Sequence, residues 1–472
     1  MDGSDAGRLG AAAQNGPALQ RGTDRDAGPE TGRGVNRHIS GGVAVPKGRM
    51  ARAARLGGVA SGIMAGAAAR GTGALLRGER PLLRDLLLTP ANVGRLAGEL
   101  ARMRGAAMKM GQLLSMDAGD VLPPEIAEIM ARLRADAEPM PPRQLRRVLD
   151  GAWGPGWLRR FQSFETTPVA AASIGQVHRA RLRDGRLLAI KVQYPGVRQS
   201  IDSDVANVGT LVRLSDMLPP GVALDPLLDE ARRQLHEEAD YEREGAQLAR
   251  FHALLAEDQD FVVPEPVPEL TGRDVLAMRF VPGAPLESLA EAPQGERDRV
   301  MRLLLELMLR EVFDFGLVQT DPNFGNYRYD RETGRVVLLD FGAARGYPPE
   351  RVATFRALMR AVMSGDAGTL AEAGEATGFY SAETAPEHRD QVLGLMQIGS
   401  VPFRADTPHD FADESLRAQL RDRGFDLAME RDFDHVMPMD VLYLQRKVAG
   451  LYLLGARLKA QVHLRSLVEL HL

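Results

Sequence analysis

The sequence predicts an α+β fold in which a small β-rich unit precedes a larger helical unit. Three short runs with strand-like composition, "LLAIKVQY", "FVVPEPV" and "VLAMRFV", lie between residues 161 and 283. A long charged helix is predicted between them, from about Pro226 to Leu255, and helical patterns dominate from about Glu291 onward. Because strand-rich and helix-rich stretches occupy different parts of the chain, we expect two lobes with a cleft between them.

Composition narrows the class of protein. The 472 residues and 44% apolar content are enough for two or three packed units. The absence of cysteine excludes disulfides and thiolate metal sites. A net charge of −4 gives no overall field for binding nucleic acid. No signal-peptide pattern and no apolar run of about 18 residues is found, so we expect an intracellular protein.

The N-terminal part of the chain divides into two predicted segments. Residues 1–40 contain almost no large apolar side chain and are expected to form a disordered tail. Residues 41–80 form a small-residue, basic segment whose uncharged middle, Leu56 to Ala69, is flanked by arginines. That middle is too short to span a bilayer but suits an amphipathic helix lying on anionic lipids.

Glycines repeat at four-residue spacing within this segment, at Gly58, Gly62 and Gly66. Such a repeat creates a smooth helix face that allows close approach of a second helix, so a homodimer through this face is one prediction. A surface helix or a flexible linker rich in alanine and glycine is the alternative.

The remaining segment boundaries are predicted from prolines that break helices and from the change between helical and strand-like patterns. Residues 81–160 are predicted to form a helical extension, with breaks at Pro123-Pro124 and between Pro139 and Pro142. Residues 161–287 then correspond to the β-rich unit and residues 288–472 to the helical unit.

A lysine and a small-residue loop suggest a nucleotide site in the β-rich unit. Lys191 lies within the strand pattern "LAIKV", where an isolated lysine is costly unless it is paired or directed into a site. Upstream, "VAAASIGQVHRARL" occupies the place of a phosphate-binding loop, with Ala170, Ala172, Gly175 and Val177 at the positions of the G-x-G-x-x-G-x-V motif. Alanine lacks the access of glycine to positive φ, so we expect an altered grip on the nucleotide phosphates.

Two aspartates and an asparagine in the helical unit have the spacing of a phosphoryl-transfer site. Asp321 and Asn326 keep the D-x-x-x-x-N spacing, and Asp340 begins Asp-Phe-Gly after the strand pattern "VVLLD". Asn326 and Asp340 are predicted to hold Mg²⁺, and Asp321 to face the acceptor hydroxyl or water. The predicted nucleotide-binding residues are Ala170, Ala171, Ala172, Ser173, Gly175, Val177, Lys191, Asn326 and Asp340.

Other parts of a protein-kinase signature are missing. Gln319 and Thr320 stand where His-Arg would precede Asp321, so no arginine is present there to read a phosphorylated activation loop. The next helical pattern, "PERVATFRALMRAVM", begins within about ten residues of Asp340, and no Ala-Pro-Glu follows. The platform that receives peptide substrates is therefore predicted to be absent.

Several motifs together resemble the UbiB family of atypical protein-kinase-like proteins, of the AarF/ADCK type. They are "AAMKMGQLLSMD", "AAASIGQVHRA", "AIKVQYPGV", "EEADYERE", "QTDPNFGN" and "LLDFGA". The closest resemblance is to the members that support coenzyme Q (ubiquinone) biosynthesis, and it extends from about Val45 to Leu472. It implies a bilobal kinase-like fold with a helical N-terminal extension covering the active site.

The resemblance assigns the Lys-x-Gly-Gln motif, Lys109 to Gln112, to a helix that folds over the active site. The three-residue spacing puts Lys109 and Gln112 on one helical face. Glu244 corresponds to a second family acid and is predicted to meet Lys109 across the cleft. From spacing alone, an exposed lysine on an amphipathic helix is the alternative.

The resemblance also assigns a carboxylate partner to Lys191. That partner is predicted to be Glu238, so Asp321, Lys191 and Glu238 form the predicted catalytic set. Glu237 and Glu242 stay open as alternatives because the predicted helix is heavily charged.

The function implied by the resemblance is that of an ATP-dependent atypical kinase or ATPase that uses Mg²⁺ and supports quinone biosynthesis. Expected ligands and partners are ATP or ADP, anionic membrane lipids, and quinone-biosynthesis proteins or lipid quinone precursors. The expected location is the inner membrane, at its cytoplasmic face in a bacterium or in the mitochondrion of a eukaryote. The alternatives are a nucleotide-binding pseudokinase scaffold and a small-molecule phosphotransferase of the aminoglycoside or choline type.

Overall fold

The structure is a computed structural model. It describes residues 139–215, 224–430 and 435–472. The predicted tail, the small-residue segment with its three glycines, and the helical extension through residue 138 lie outside the described residues. Lys109 and Gln112 lie outside them as well.

The described residues combine helices with short strands. The α-helices are α1 (Pro142–Trp153), α2 (Val197–Ser215), α3 (Leu224–Glu238), α4 (Tyr241–Leu254), α5 (Gln294–Phe313), α6 (Pro349–Ser364), α7 (Ala367–Thr377), α8 (Pro386–Arg404), α9 (Ser415–Met429), α10 (Met439–Leu458) and α11 (Leu464–Glu469). The strands are β1 (Phe161–Phe164), β2 (Ala170–Ala171), β3 (Gly175–Leu182), β4 (Leu187–Gln193), β5 (Phe261–Val262), β6 (Val275–Arg279), β7 (Ala284–Pro285), β8 (Leu317–Gln319), β9 (Tyr327–Asp330), β10 (Arg335–Leu338), β11 (Ala344–Gly346), β12 (His409–Asp410) and β13 (Gln461–Val462). The predicted α+β class is confirmed.

The β-rich unit is built on an antiparallel sheet in the order β1-β3-β4-β6, with β2 paired to β3. Alternate residues of β4, namely Leu188, Ile190 and Val192, are fully buried in one apolar cluster. Leu149 of α1 packs into that cluster. Because side chains alternate across a strand, Lys191 points to the opposite face of the sheet.

The prediction of one long charged helix is wrong in one respect, because the structure has two helices there, α3 and α4. The chain leaves helical geometry between α3 and α4, where the Asp240 side chain accepts a hydrogen bond from the Arg243 backbone N–H at 3.0 Å. This is an N-cap contact, which satisfies an amide that has no partner within the helix. The cap starts a new helix and changes which acids of "EEADYERE" face the cleft.

The larger unit places its polar motif residues at strand ends. A second sheet has the order β5-β10-β9-β7, and β8 pairs with β11 in a separate ribbon. Asp321 follows β8, Asn326 precedes β9, and Asp340 follows β10. Helix α5 lies beneath them with Leu303, Leu304 and other apolar side chains in the main core.

None of the helices in the described part of the chain is both long and apolar enough to cross a bilayer.

Candidate active site

Lys191 and Glu244 form a buried ion pair beside Asp340. The lysine Nζ lies 2.8 and 2.9 Å from the two carboxylate oxygens of Glu244, and both side chains are almost fully buried. A third group completes the contact, since Asp340 Oδ2 lies 3.2 Å from the same Nζ. β4 therefore supplies the lysine, α4 the glutamate, and the segment after β10 the aspartate.

The predicted partner of Lys191, Glu238, is wrong. Glu238 is the last residue of α3, whereas Glu244 lies in the first turn of α4, beyond the break that Asp240 caps. The exposed Glu242 lies elsewhere on α4, and Glu237 pairs with Arg345 at 2.5 Å. The signal that could have shown this is the capping aspartate, which begins a new helix and places a different glutamate on the inner face.

The predicted role of Glu244 changes for the same reason. Both of its carboxylate oxygens accept hydrogen bonds from Lys191, rather than facing outward toward a lid. Lys109 lies outside the described residues, so its predicted contact with Glu244 stays a prediction. Glu238 lines the cleft cavity beside Asp321 and Asp340.

Burial and the charge of the partner have opposite effects on the pKa values of Lys191 and Glu244. Burial, reinforced by the charge of Asp340 and opposed by that of Lys191, raises the pKa of Glu244 to about 7. For Lys191, burial lowers the pKa, but the carboxylates of Asp340 and Glu244 outweigh burial and hold the pKa well above its usual value. The lysine is therefore a cation whose charge is shared between two carboxylates.

The alanine-rich loop is a tight hairpin anchored in the core. The Ala172 backbone N–H donates to the Gly175 carbonyl at 2.9 Å, so the turn contains only Ser173 and Ile174. The Ile174 side chain is fully buried in the main core, and its carbonyl accepts from the Tyr194 N–H at 2.9 Å. This anchor was not predicted, and it holds the loop by a side chain that glycine-rich loops lack.

The one glycine that the loop keeps is required by close packing. A Cβ at Gly175 would collide with the Val192 carbonyl oxygen and would lie 2.9 Å from the Tyr241 hydroxyl. Those neighbours belong to β4 and α4, the two elements that carry Lys191 and Glu244. Gly175 therefore allows β3 to pass close to the ion pair. Ala170 pairs with Val177, and Ala171 pairs with Gln176.

Gln319 and Thr320 join the two aspartate segments. The Gln319 side-chain amide donates to the Asp340 carbonyl at 2.8 Å, and its oxygen accepts from the Asp321 backbone N–H at 2.6 Å. The Thr320 hydroxyl donates to the Ala343 carbonyl at 2.9 Å. The residues that replace His-Arg thus hold Asp321 and Asp340 in a fixed relation, although no sequence rule predicted it.

The oxygen donors present fit a magnesium ion. Asn326 Nδ2 lies 3.2 Å from Asp321 Oδ2, and Asp340 Oδ1 accepts from the Gly342 N–H at 3.0 Å. In the described part of the chain, no cluster of three or more acidic, histidine or cysteine side chains suits a metal ion. Mg²⁺ in phosphoryl-transfer sites commonly takes one or two carboxylates, with water and substrate phosphates completing the shell. Asp340 and Asn326, with Asp321 nearby, match that requirement.

Arginines hold the segment that follows Asp340. The Arg243 guanidinium, from α4, donates to the Gly342 and Ala344 carbonyls at 2.6 and 2.8 Å. Arg345 forms a two-point contact with Glu237. The segment is therefore fixed by arginine contacts to its own backbone and to α3, without a phosphorylated residue.

A second buried ion pair lies behind the Asp321 loop. Lys447 of α10 lies 2.9 Å from Glu311 of α5 and 3.4 Å from the Tyr327 hydroxyl. Both charged side chains are 2% exposed. A Cβ at Gly450 would collide with the Pro322 ring. Helix α10 thus packs directly against the loop, a relation that the sequence did not reveal.

The cavity between these elements is lined by four acids, two arginines and four uncharged residues. Its lining residues are Gln234, Glu237, Glu238, Thr320, Asp321, Asp340, Gly342, Ala343, Arg345 and Arg446. The cavity therefore joins the end of α3, the two aspartate segments and α10 into one polar site.

A family model and curated relatives both match this chain to atypical kinases. Residues 132–374 match the ABC1 atypical kinase-like domain. The mitochondrial atypical kinase COQ8 of Saccharomyces cerevisiae is 36% identical over 432 residues, covering 90% of this chain and 85% of the yeast protein. The mitochondrial atypical kinase coq-8 of Caenorhabditis elegans is 36% identical over 440 residues, covering 91% of this chain and 58% of the nematode protein.

One solved structure is similar as well. It is the complex of Rv3197 with erythromycin from Mycobacterium tuberculosis, which is 27% identical with a TM-score of 0.55. The similarity covers 81% of this chain and 96% of the mycobacterial chain.

Proposed function

Because the chain belongs to the ABC1 atypical kinase-like family, we propose that it binds ATP with Mg²⁺ and transfers the terminal phosphoryl group to water or to a small molecule. The observation that carries the proposal is the contact of Lys191 with both Glu244 and Asp340. Gln319 links Asp340 to Asp321, so a phosphate-binding cation and a proton-accepting carboxylate belong to one connected site.

Each polar group has a chemical role in this proposal. Lys191, held by Glu244, binds phosphate oxygens, because a buried cation with a fixed orientation loses little freedom on binding. Asp321 accepts the proton of the attacking water or hydroxyl. Asp340 and Asn326 would hold Mg²⁺, which when bound supplies positive charge to the phosphates.

The proposed biological role is support of coenzyme Q biosynthesis at a membrane. Two features support it: the motifs that resemble the coenzyme Q branch, and the similarity to yeast and nematode relatives that are named as mitochondrial COQ8 kinases. We place the protein at the mitochondrial inner membrane in a eukaryote and at the cytoplasmic face of the inner membrane in a bacterium. Protein substrates are excluded in this proposal by the extension that carries Lys109 and Gln112.

Phosphate release tests the chemistry. Wild-type protein with Mg²⁺, ATP and anionic liposomes is expected to release phosphate, and Asp321→Asn to reduce release by about 100-fold or more, since a positioned base contributes about 10²–10⁴-fold. Asp422→Asn is the matched control, because this carboxylate is exposed on α9. Nucleotide binding without release by the wild type would replace the proposal with a pseudokinase scaffold.

Liposome co-sedimentation tests the membrane part separately. Deletion of residues 41–75 is expected to abolish binding to anionic liposomes, since that segment carries the arginines and the apolar face. Binding that persists after the deletion would place the membrane surface elsewhere in the chain.

A further inference from the structure

Arg446 is a buried cation that the described residues leave without a hydrogen-bond partner at Nε. The residue is 7% exposed and lies on α10, where it lines the cleft cavity beside Thr320 and Asp321. No described carboxylate lies within 4.0 Å of its guanidinium nitrogens. A buried charge without such a partner is costly, so its position calls for a compensating group.

The neighbouring residue shows how the same helix treats a structural cation. Lys447 is buried as well, and it has Glu311 at 2.9 Å and Tyr327 at 3.4 Å. Successive residues of a helix point in directions about 100° apart, so Lys447 faces the core while Arg446 faces the cavity. Packing alone therefore does not explain a charged group at Arg446.

The cavity selects the kind of anion that fits Arg446. The cavity lining carries the acids Glu237, Glu238, Asp321 and Asp340, of which Glu237 pairs with Arg345 and Asp340 contacts Lys191. A bare anion would be repelled there, but an anion that arrives with a divalent cation would not. The guanidinium fork matches two oxygens of a phosphate and suits it better than an ammonium group.

The position of Arg446 within the cleft indicates which phosphate of a nucleotide it would contact. Asp340 contacts Lys191 at 3.2 Å and also lines the cavity that holds Arg446. Asp321 and Thr320 line the cavity too. A nucleotide held by Lys191 therefore directs its terminal phosphate toward Asp321, into the space that Arg446 borders.

We propose that Arg446 binds the terminal phosphoryl group of a bound nucleoside triphosphate and stabilises it during transfer. This inference rests on the proposed function. In the transfer, the bond between the γ-phosphorus and the bridging oxygen breaks and the diphosphate leaves with the electron pair. The acceptor oxygen of water or of a hydroxyl bonds to phosphorus, and its proton passes to Asp321. Arg446 is a catalytic residue in this sense, because it contacts the group in transfer.

Calorimetric titration with two nucleotides tests the assignment. With Mg²⁺ present, Arg446→Gln is expected to weaken binding of a non-hydrolysable ATP analogue by about tenfold or more, since hydrogen bonds to charged groups are strong. Affinity for ADP should change by less than about twofold, because ADP lacks the terminal phosphate. Arg446→Lys should be intermediate, since it keeps the charge but not the fork. Arg457→Gln, on the exposed side of α10, is the matched control and should bind both nucleotides as the wild type does.

Thermal unfolding of the ligand-free protein separates binding from a structural role. Arg446→Gln should not lower the melting temperature relative to Arg457→Gln, because no described partner is lost. Equal weakening of both nucleotides together with a lower melting temperature would overturn the inference. An unchanged preference between the nucleotides in Arg446→Gln, or in Arg446→Lys if the glutamine variant does not fold, would overturn it while the proposed function stands. A wild-type protein that binds neither nucleotide would overturn both.

Discussion

The described residues include two buried lysine–glutamate pairs, which differ in their access to the cleft. The Lys191–Glu244 pair shares its lysine with Asp340, whose side chain is 32% exposed to the cleft. The Lys447–Glu311 pair is closed off from solvent and is also contacted by the Tyr327 hydroxyl and the Gln319 backbone. A buried ion pair that is fully satisfied contributes to a fixed structure, whereas one that opens onto a cavity can exchange partners with a ligand.

Breaking the Lys447–Glu311 pair, the closed pair, should have the largest effect on stability. Lys447→Met leaves Glu311 buried and unpaired, which is expected to lower the free energy of unfolding by about 3–5 kcal/mol. Urea unfolding measures it. Replacing both partners, in Lys447→Met with Glu311→Leu, should restore part of the loss. A loss in the single variant below about 1 kcal/mol, typical of exposed pairs, would show that the pair is not sealed from water.

Breaking the Lys191–Glu244 pair, the open pair, should reduce stability less than breaking the closed pair does. It should reduce nucleotide binding more. Lys191→Met leaves Glu244 in a cleft where Asp340 already meets solvent, so we expect a loss of about 1–3 kcal/mol in the free energy of unfolding. Nucleotide affinity should fall below detection in a binding titration, because the phosphate-binding cation is gone. Retained affinity for ATP would contradict the proposed site.

The close contact of α10 with the Asp321 loop offers an intermediate test. Gly450→Ala puts a methyl group into the Pro322 ring and should cost about 1–3 kcal/mol, as overpacking does. Because the shifted loop carries Asp321, phosphate release should fall more than ATP affinity. Gly424→Ala is the matched control, since that helical glycine has open space around it and alanine favours the helix. Equal behaviour of the two variants would show that the contact is unimportant.

The smallest expected effect is a pH dependence confined to the open pair. A carboxyl group whose folded pKa is raised from 4.5 to about 7 contributes stability that is fully present below about pH 4.5 and is lost as the pH rises toward 7. The free energy of unfolding of the wild type, relative to Glu244→Gln, should therefore decrease across this window, by at most about 1.4 kcal/mol per pH unit. Chemical unfolding at several pH values measures it. A difference that increases with pH would reverse the assigned direction.

Sequence patterns selected the residues of the candidate site more reliably than they predicted the contacts between those residues. The strand pattern selects Lys191, the spacing selects Asp321, Asn326 and Asp340, and the structure brings these residues together. The pairing with Glu244 was missed because a one-residue change in where a helix starts rotates every later side chain by about 100°.

The sequence by itself determined the α+β class and the family, and it selected the residues that we propose to bind phosphate and metal. These properties depend on residue identity, local periodicity and spacing, which can be read along the chain. Only the tertiary structure decided that Glu244 pairs with Lys191, that Lys447 is neutralised, and that Arg446 faces the cleft. Such outcomes depend on which distant segments meet, since Lys191 and Asp340 are 149 residues apart and Lys447 and Glu311 are 136 apart. Burial then fixes the energy of each charge according to the partner it finds.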